Sequence, residues 1–150
     1  MKQAITSLTV LAIAITPNLA NANQAENQKK ITVVKKVYQN INKRHTIIIN
    51  NATPDFKQAI RYDDAITPDG EMNCQAWDMV GGVDPKIRQV KYTVLKNGKV
   101  RATFKNYGKT EYNDFQLQKV NGKYLIADIW GTGYQTSFMQ GMAKCQQYGL

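Results

Sequence analysis

The sequence predicts an α+β domain with N-terminal helices, an antiparallel sheet and a closing C-terminal helix. Three observations lead to this prediction. Apolar residues recur at helical spacing between positions 31 and 45, the period changes to alternation over positions 90–129, and a helical period returns at 138–145. Turn-forming residues divide the alternating stretch, so we expect it to contain several strands.

The first 22 residues have the pattern of a cleavable secretory signal. Lys2 supplies a positive charge, residues 5–15 are mostly apolar, and residues 20–22 form a small-residue cleavage site. The apolar run is shorter than the roughly 20 residues that a membrane-spanning helix needs, so a retained membrane anchor is the less favoured alternative. We therefore expect cleavage of residues 1–22, leaving residues 23–150 as one exported domain, either periplasmic or secreted.

The chain is basic, but its charges do not form a nucleic-acid-binding pattern. It carries a formal charge of +9, and cleavage would remove one lysine and no acid, leaving +8. The densest basic pairs, Lys29-Lys30 and Lys35-Lys36, are interrupted by apolar residues at helical spacing, which is typical of a solvated helix face. On an exported protein such a surface favours an acidic protein partner or an anionic envelope polymer over nucleic acid.

The two cysteines, Cys74 and Cys145, are expected to form one disulfide. Paired thiols are normally bridged in an oxidising compartment. This bridge would tie the middle of the domain to its last helix and stabilise the fold by roughly 4 kcal/mol in the chain-entropy description. A catalytic thiol is the alternative. Two cysteines and one histidine are too few for a structural zinc site with four ligands.

The first half of the exported domain is predicted to be helical. A stripe of apolar residues at steps of three and four predicts a long amphipathic first helix. Thr53 and Pro54 are typical of an N-cap and a first helical position, and the second helix is expected to end near Ala65, before a loop at 67–70. The stripe of the first helix consists of Ile31, Val34, Tyr38, Ile41 and His45, and the second helix faces inward through Phe56, Ala59 and Ile60.

The second half is predicted to be a meander of antiparallel strands. Alternating apolar residues at 90–94 and 100–104 flank Asn97-Gly98, a pair typical of a type I′ hairpin turn. Two further turns, at 106–109 and 121–122, separate the remaining strands. The other predicted elements are strands 110–120 and 123–130 and a closing helix that faces inward through Phe138, Met142 and Cys145 and stops by Gly149.

Two short motifs carry a resemblance to a known superfamily. Val83-Asp84-Pro85 precedes the first hairpin, and Asn-Gly-Lys-Tyr-Leu-Ile-Ala-Asp-Ile occupies residues 121–129. With the order of elements, they resemble exported bacterial domains of the nuclear transport factor 2-like (cystatin-like) superfamily, above all an uncharacterised family of small secreted proteins. This resemblance covers most of residues 28–148 and implies a curved sheet that wraps around a long helix as an open cone. The superfamily includes enzymes, ligand binders and immunity proteins that neutralise toxins, so the fold alone does not determine function.

No residue is predicted to be catalytic or to bind a metal or cofactor. His45, the one histidine, lies on the apolar stripe and has no base partner nearby in sequence. Enzymes of the superfamily often pair an aspartate with a histidine or tyrosine inside the cone. Asp63, Asp64, Asp78 and Asp128 are available for such a pair, but the sequence assigns none of them to it. Asp63-Asp64 is expected to be an exposed helix end, and Asp128 a hydrogen-bonding strand residue. The glycine pairs lack the spacing of a phosphate-binding loop.

Aromatic residues where the sheet meets its loops are the predicted binding site. Trp77 with Asp78, and Trp130 with Tyr134, are expected near the mouth or edge of the cone, with core packing as the alternative for each tryptophan. The sequence therefore predicts a non-enzymatic exported domain that acts by protein contact in the bacterial envelope, most concretely an immunity protein that neutralises an acidic toxin. The alternative is a small-ligand binder or hydrolase that uses a cone-shaped pocket.

Overall fold

A computed structural model of the chain describes residues 19–66, 80–82 and 84–148. It confirms an α+β fold, in which helices accompany a four-stranded antiparallel sheet that does not close. No helix within the described ranges is long and apolar enough to cross a membrane. The elements are α1 (Leu19–Gln39), a 3₁₀ turn (Ile41–Lys43), α2 (Arg44–Asn50), α3 (Pro54–Ile66), β1 (Ile87–Val94), β2 (Val100–Asn106), β3 (Lys109–Val120), β4 (Lys123–Gly131) and α4 (Phe138–Tyr148).

Several predictions concern residues outside these ranges. The loop at 67–70 and Cys74, Trp77 and Asp78 all lie outside the described residues. Cys145 is described and lies on α4 with 9% of its surface exposed. The predicted disulfide and half of the predicted aromatic binding site therefore stay predictions. The predicted signal cleavage also stays a prediction, because only the last residues of the expected signal, from Leu19 onward, are described.

The predicted first helix is divided by a break at Asn40. This residue adopts φ −134° and ψ 53°, outside the helical region, so α1 ends at Gln39 and a 3₁₀ turn leads into α2. Tyr38 is buried at the end of α1, whereas His45 belongs to α2 and its side chain is 42% exposed. The prediction that His45 continues the apolar stripe is therefore wrong, because the break gives α2 its own helical phase.

The start of α3 follows the predicted capping pattern. Thr53 accepts a hydrogen bond from the backbone N–H of Phe56 through Oγ1, at 3.4 Å, and Pro54 is the first helical residue. The same turn pairs with the sheet, since Ile126 donates its N–H to the carbonyl of Asn51 at 2.7 Å and accepts the N–H of Thr53 at 2.8 Å. These bonds satisfy backbone groups on the free edge of β4 and anchor the helices to the sheet.

The four strands form a simple meander in the order β1-β2-β3-β4, with every neighbouring pair antiparallel. The turns at 107–108 and 121–122 have positive φ at both central residues, as a two-residue type I′ turn requires. The turn predicted at Asn121-Gly122 is thereby confirmed. Sequence-adjacent strands are therefore also neighbours in space.

The first hairpin does not have the predicted type I′ turn at Asn97-Gly98. Gly98 alone of this pair has a positive φ, and its N–H donates to the carbonyl of Leu95 at 2.9 Å. Leu95 in turn donates to the carbonyl of Lys99 at 2.8 Å, so the loop has three residues: a type I turn followed by a left-handed glycine. The side chain of Asn97 accepts the N–H of Lys99 at 3.1 Å, which supports this alternative geometry.

The space between α1 and the sheet is filled by aromatic and aliphatic side chains. The ring of Tyr38 lies 5.4 Å from that of Phe104 and 6.1 Å from those of Phe115 and Tyr92. Its hydroxyl donates a 2.6 Å hydrogen bond to Oδ1 of Asn113. Tyr38 and its aromatic neighbours thus fill the space between α1 and the sheet.

The predicted closing helix is confirmed as α4, with Phe138 and Met142 buried on its inner face. Its start is a capping box: Gln140 N–H donates to Oγ of Ser137 at 3.1 Å, and Ser137 N–H donates to Oε1 of Gln140 at 2.9 Å. Asp128 accepts the N–H groups of Ile129 and Met139, which confirms it as a hydrogen-bonding strand residue. Burial raises the pKa of the Asp128 carboxyl by disfavouring its charged form.

Glu26 connects the N-terminal part of α1 to the β3–β4 hairpin. Its carboxylate accepts hydrogen bonds from the hydroxyl of Tyr124 at 2.7 Å and from the ammonium groups of Lys29 and Lys119 at 2.9 and 3.1 Å. The Tyr124 hydrogen bond, followed by those from the two lysines, lowers the pKa of Glu26 from 4.5 to about 2. The charged form of Glu26 is thus favoured by the folded arrangement.

Candidate functional site

The two faces of the sheet differ in chemistry. Side chains alternate along a strand, so Val100, Ala102 and Phe104 are buried toward α1 while the residues between them point away from it. We call the face that carries Arg101, Thr103 and Lys105 the outer face. Cross-strand register extends it over all four strands, for example through the row Thr93, Arg101, Asp114 and Trp130.

Cations near the centre of the outer face have partners within the protein. Nε and Nη2 of Arg101 each lie 2.7 Å from a carboxylate oxygen of Asp114, and this bidentate pair raises the pKa of Arg101. The guanidinium also lies 4.0 Å from the ring centroid of Tyr112. The ammonium of Lys99 lies 3.1 Å from the ring centroid of Trp130. These side chains therefore form a layer of alternating charges and rings.

A second group of cations, at the β1 end of the outer face, has no carboxylate partner among the described residues. We call Lys86, Arg88, Lys91 and Lys105 the basic cluster. None of the four forms an ion pair with any residue that the structure describes. Lys105 donates to Oγ1 of Thr110 at 2.6 Å, a neutral acceptor. The cluster is thus a patch of positive charge that the described part of the fold leaves uncompensated.

Three members of the basic cluster line a groove. It has a volume of about 310 Å³, and we call it the basic groove. The ammonium of Lys86 lies 5.2 Å from the ring centroid of Tyr107, whose hydroxyl donates to the carbonyl of Asp84 at 2.7 Å. Asp84 Oδ2 lies 3.4 Å from that hydroxyl, which puts one carboxylate beside Tyr107. The groove is lined by Lys86, Arg88, Gln89, Lys105, Tyr107 and Gly108.

A bulge in β1 brings the basic cluster together. Arg88 pairs with Lys105 and Lys91 pairs with Thr103, so the two residues between Arg88 and Lys91 face only one residue of β2. In a regular strand Arg88 and Lys91 would point to opposite faces, because they are three positions apart. The bulge puts both on the outer face. It includes Gln89, whose φ of 55° lies in the left-handed region that residues other than glycine rarely adopt.

Sequence reasoning did not find the basic cluster. Its members are separated by unequal intervals between positions 86 and 105, and the charge pairs considered there were those of α1. The predicted alternation of Val90, Tyr92 and Val94 is confirmed for the second half of β1. It does not reveal the bulge between Arg88 and Lys91. The one local hint is that the alternation of Val90, Tyr92 and Val94, extended backwards, would put the charged Arg88 on the apolar face.

Two of the predicted binding residues, Trp130 and Tyr134, are described, and they lie at and just beyond the end of β4. Trp130 lies at the end of β4, partly buried, in contact with Lys99. Tyr134 follows in the turn before α4 and is 45% exposed, with its N–H donating to the carbonyl of Gly131 at 3.2 Å. Of the four residues predicted to bind a partner, these two are described, and both lie where β4 meets the loop to α4.

The structure also contains an aspartate–histidine pair that the sequence reasoning did not identify. Nε2 of His45 lies 3.2 Å from Oδ2 of Asp64, and the two side chains are 42% and 41% exposed. Asp63 is fully buried, so the prediction that Asp63-Asp64 is an exposed helix end is wrong for Asp63. Adjacent helical positions face different directions, and the carboxylate of Asp64 reaches His45 of α2. The pair connects α2 to α3, and neither residue lines the basic groove.

Within the described ranges, no three His, Cys, Asp or Glu side chains come close enough together to hold a metal ion. Comparison of the chain with protein-family models, with curated proteins and with solved structures finds no match.

Proposed function

We propose that this chain is an exported, non-enzymatic binding domain that holds an acidic protein against the outer face of its sheet. One observation carries the proposal: the basic cluster places four cations without described counter-ions on that face, and three of them, Lys86, Arg88 and Lys105, line one groove. Complementary charge accelerates association with an acidic partner and fixes its orientation. Tyr112 and Trp130 on the same face add aromatic area of the kind found at interface hot spots.

The packing behind the sheet supports a surface mode of action. An interior ligand site would require a cavity with converging polar groups. Between α1 and the sheet, Tyr38, Phe104 and Phe115 are buried instead and in contact with one another. Binding at the outer face needs no opening of this core.

The most concrete form of the proposal is a periplasmic immunity protein that neutralises an acidic toxin. The α1 helix against an antiparallel meander is compatible with a nuclear transport factor 2-like cone, and that superfamily membership is part of the proposal. An exported, stable domain whose basic cluster has no described counter-ions suits a protein that must block an acidic surface.

The test is capture of a partner from an envelope extract with the chain purified after export. The double variant Arg88→Glu/Lys105→Glu should lose the captured protein. The control Lys35→Glu/Lys36→Glu makes the same change in net charge on the exposed side of α1 and should retain it. Equal loss in both variants, or capture of no protein at all, would contradict the proposal. Thermal melts of each variant separate a binding defect from unfolding.

A second candidate function, hydrolysis or small-ligand binding, is favoured only by the His45–Asp64 pair, because an aspartate can orient a histidine as a general base. If the chain acts by contact through the outer face, His45→Ala should leave partner capture unchanged. A hydrolytic activity that disappears in His45→Ala and in Asp64→Asn would promote the second candidate.

A further inference from the structure

We propose that the basic groove and the neighbouring groove lined by Lys91 form a carboxylate-recognition site, in which Arg88 and Lys105 together hold an acidic side chain of the partner and Lys91 holds a second one. This inference rests on the proposed function and names the chemistry of its contact.

The first observation is an unfavourable pairing in the sheet. Arg88 and Lys105 are directly opposite each other in the β1–β2 register, on the same face. Like charges at directly opposite positions destabilise an antiparallel pair. No described carboxylate relieves this repulsion, although Arg101 on the same face is neutralised by Asp114. An anion bound between Arg88 and Lys105 would turn the repulsion into two favourable contacts.

The second observation is local backbone strain at the same place. Gln89 follows Arg88 and has a φ of 55°, and its side chain lines the groove. Non-glycine residues in the left-handed region cost stability, and such residues are concentrated at binding and active sites. A regular strand would avoid this cost but would move Lys91 to the face that packs on α1. The bulge therefore lowers the stability of the strand but places Arg88 and Lys91 on the same face as Lys105.

The shape of the site favours an extended acidic segment. A second groove of about 200 Å³ continues from the basic groove and shares Gln89 and Lys105 with it. Lys91 and Thr103 line this continuation. Cations thus follow one another along the strand direction, so an extended chain with acidic side chains on one side can contact them in sequence. The guanidinium of Arg88 can bind a carboxylate with two parallel hydrogen bonds.

The test uses a hexaglutamate peptide as probe, titrated at low ionic strength into the protein purified after export. Isothermal titration should show binding that weakens about tenfold in Arg88→Gln and in Lys105→Gln, the effect of losing one charge-assisted contact. Lys35→Gln removes the same charge from α1 and should leave the affinity within about twofold of the unsubstituted protein. A hexaglutamine peptide should not bind.

Three results would overturn the inference. The first is no binding of hexaglutamate, and the second is equal weakening by Lys35→Gln, which would indicate diffuse attraction to a basic protein. The third is that tripolyphosphate binds more tightly than hexaglutamate and that Arg88→Gln and Lys105→Gln weaken its binding too. That result would assign the site to phosphate. Thermal melts of the variants are the control for folding. A variant that melts at or above the melting temperature of the unsubstituted protein has lost binding for a reason other than unfolding.

The two proposals can fail separately. If the groove binds hexaglutamate but no envelope protein is captured, the proposed function fails while the site stands. If a captured partner is retained by Arg88→Gln, the partner uses another part of the outer face and the inference fails alone.

Discussion

The ammonium group of Lys99 lies 3.1 Å from the ring centroid of Trp130, across the width of β3. Trp130 was predicted from the sequence as a binding residue, and the structure shows that its ring already contacts a cation of the same chain. A partner that uses Trp130 must therefore accommodate or replace Lys99. The contact also holds the first hairpin turn against the last strand.

We expect Lys99→Met to lower the free energy of unfolding by about 0.5–1 kcal/mol, the usual contribution of a partly exposed cation–π contact. Urea denaturation measures the change. Lys96→Met is the matched control, because Lys96 lies in the same turn and is exposed. Equal effects of the two substitutions would show that the contact with Trp130 contributes nothing to stability.

Arg88→Glu is expected to stabilise the free protein, by about 0.5 kcal/mol. The substitution turns the like-charged pair of Arg88 and Lys105 into an opposite-charged cross-strand pair. Adding Lys105→Glu restores a like-charged pair and should remove the gain. The midpoints of urea denaturation of the unsubstituted protein, Arg88→Glu and Arg88→Glu/Lys105→Glu measure these changes. If Arg88→Glu is less stable than the unsubstituted protein, the pairing of Arg88 with Lys105 does not cost stability.

Tyr38→Phe is expected to lower the free energy of unfolding by about 2 kcal/mol, because it leaves the buried Oδ1 of Asn113 without its 2.6 Å donor. Burial raises the pKa of Tyr38 well above its ordinary value, so the hydroxyl remains a donor over the accessible pH range. Tyr92→Phe is the control, since the structure gives that hydroxyl no hydrogen bond to a described residue. Similar losses in both variants would show that ring packing, not the hydrogen bond, matters.

The contribution of Glu26 should depend on pH. Its folded-state pKa is lowered from 4.5 to about 2, so its stabilisation is complete above pH 4.5 and disappears as the pH falls toward 2. The unfolding free energies of the unsubstituted protein and of Glu26→Gln should therefore differ near neutral pH and converge below pH 3. Denaturant titrations from pH 2 to pH 7 measure this. A difference that is constant with pH would contradict the assigned ionisation.

The predicted disulfide can be tested on the exported protein. Alkylation before and after reduction should label no thiol in the first case and both Cys74 and Cys145 in the second. Cys145→Ser should lower the free energy of unfolding by roughly 4 kcal/mol, and the double serine variant should be no less stable than the single one. Thiol labelling without reduction would rule out the bridge.

Much of the fold follows from signals that act over a few residues. Thr53 with Pro54 predicted the start of α3, and Asn121-Gly122 predicted a turn, because each depends only on local backbone chemistry. The inward residues of β2 and α4 followed from periodicity. The first hairpin was less predictable, since Asn97-Gly98 is compatible with two loop lengths and the bonds of Leu95 selected the longer one.

The sequence by itself determined the class of fold, the order of its elements and the excess of positive charge. Tertiary structure alone decided where that charge is concentrated. The bulge at Gln89 changes which face Lys91 occupies, and strand register brings Arg88 opposite Lys105. The break at Asn40 likewise moves His45 off the stripe of α1 and next to Asp64. Periodicity in the sequence describes each element separately. A shift of one residue in strand pairing moves a side chain to the other face of the sheet, and only the three-dimensional pairing of the strands sets that shift.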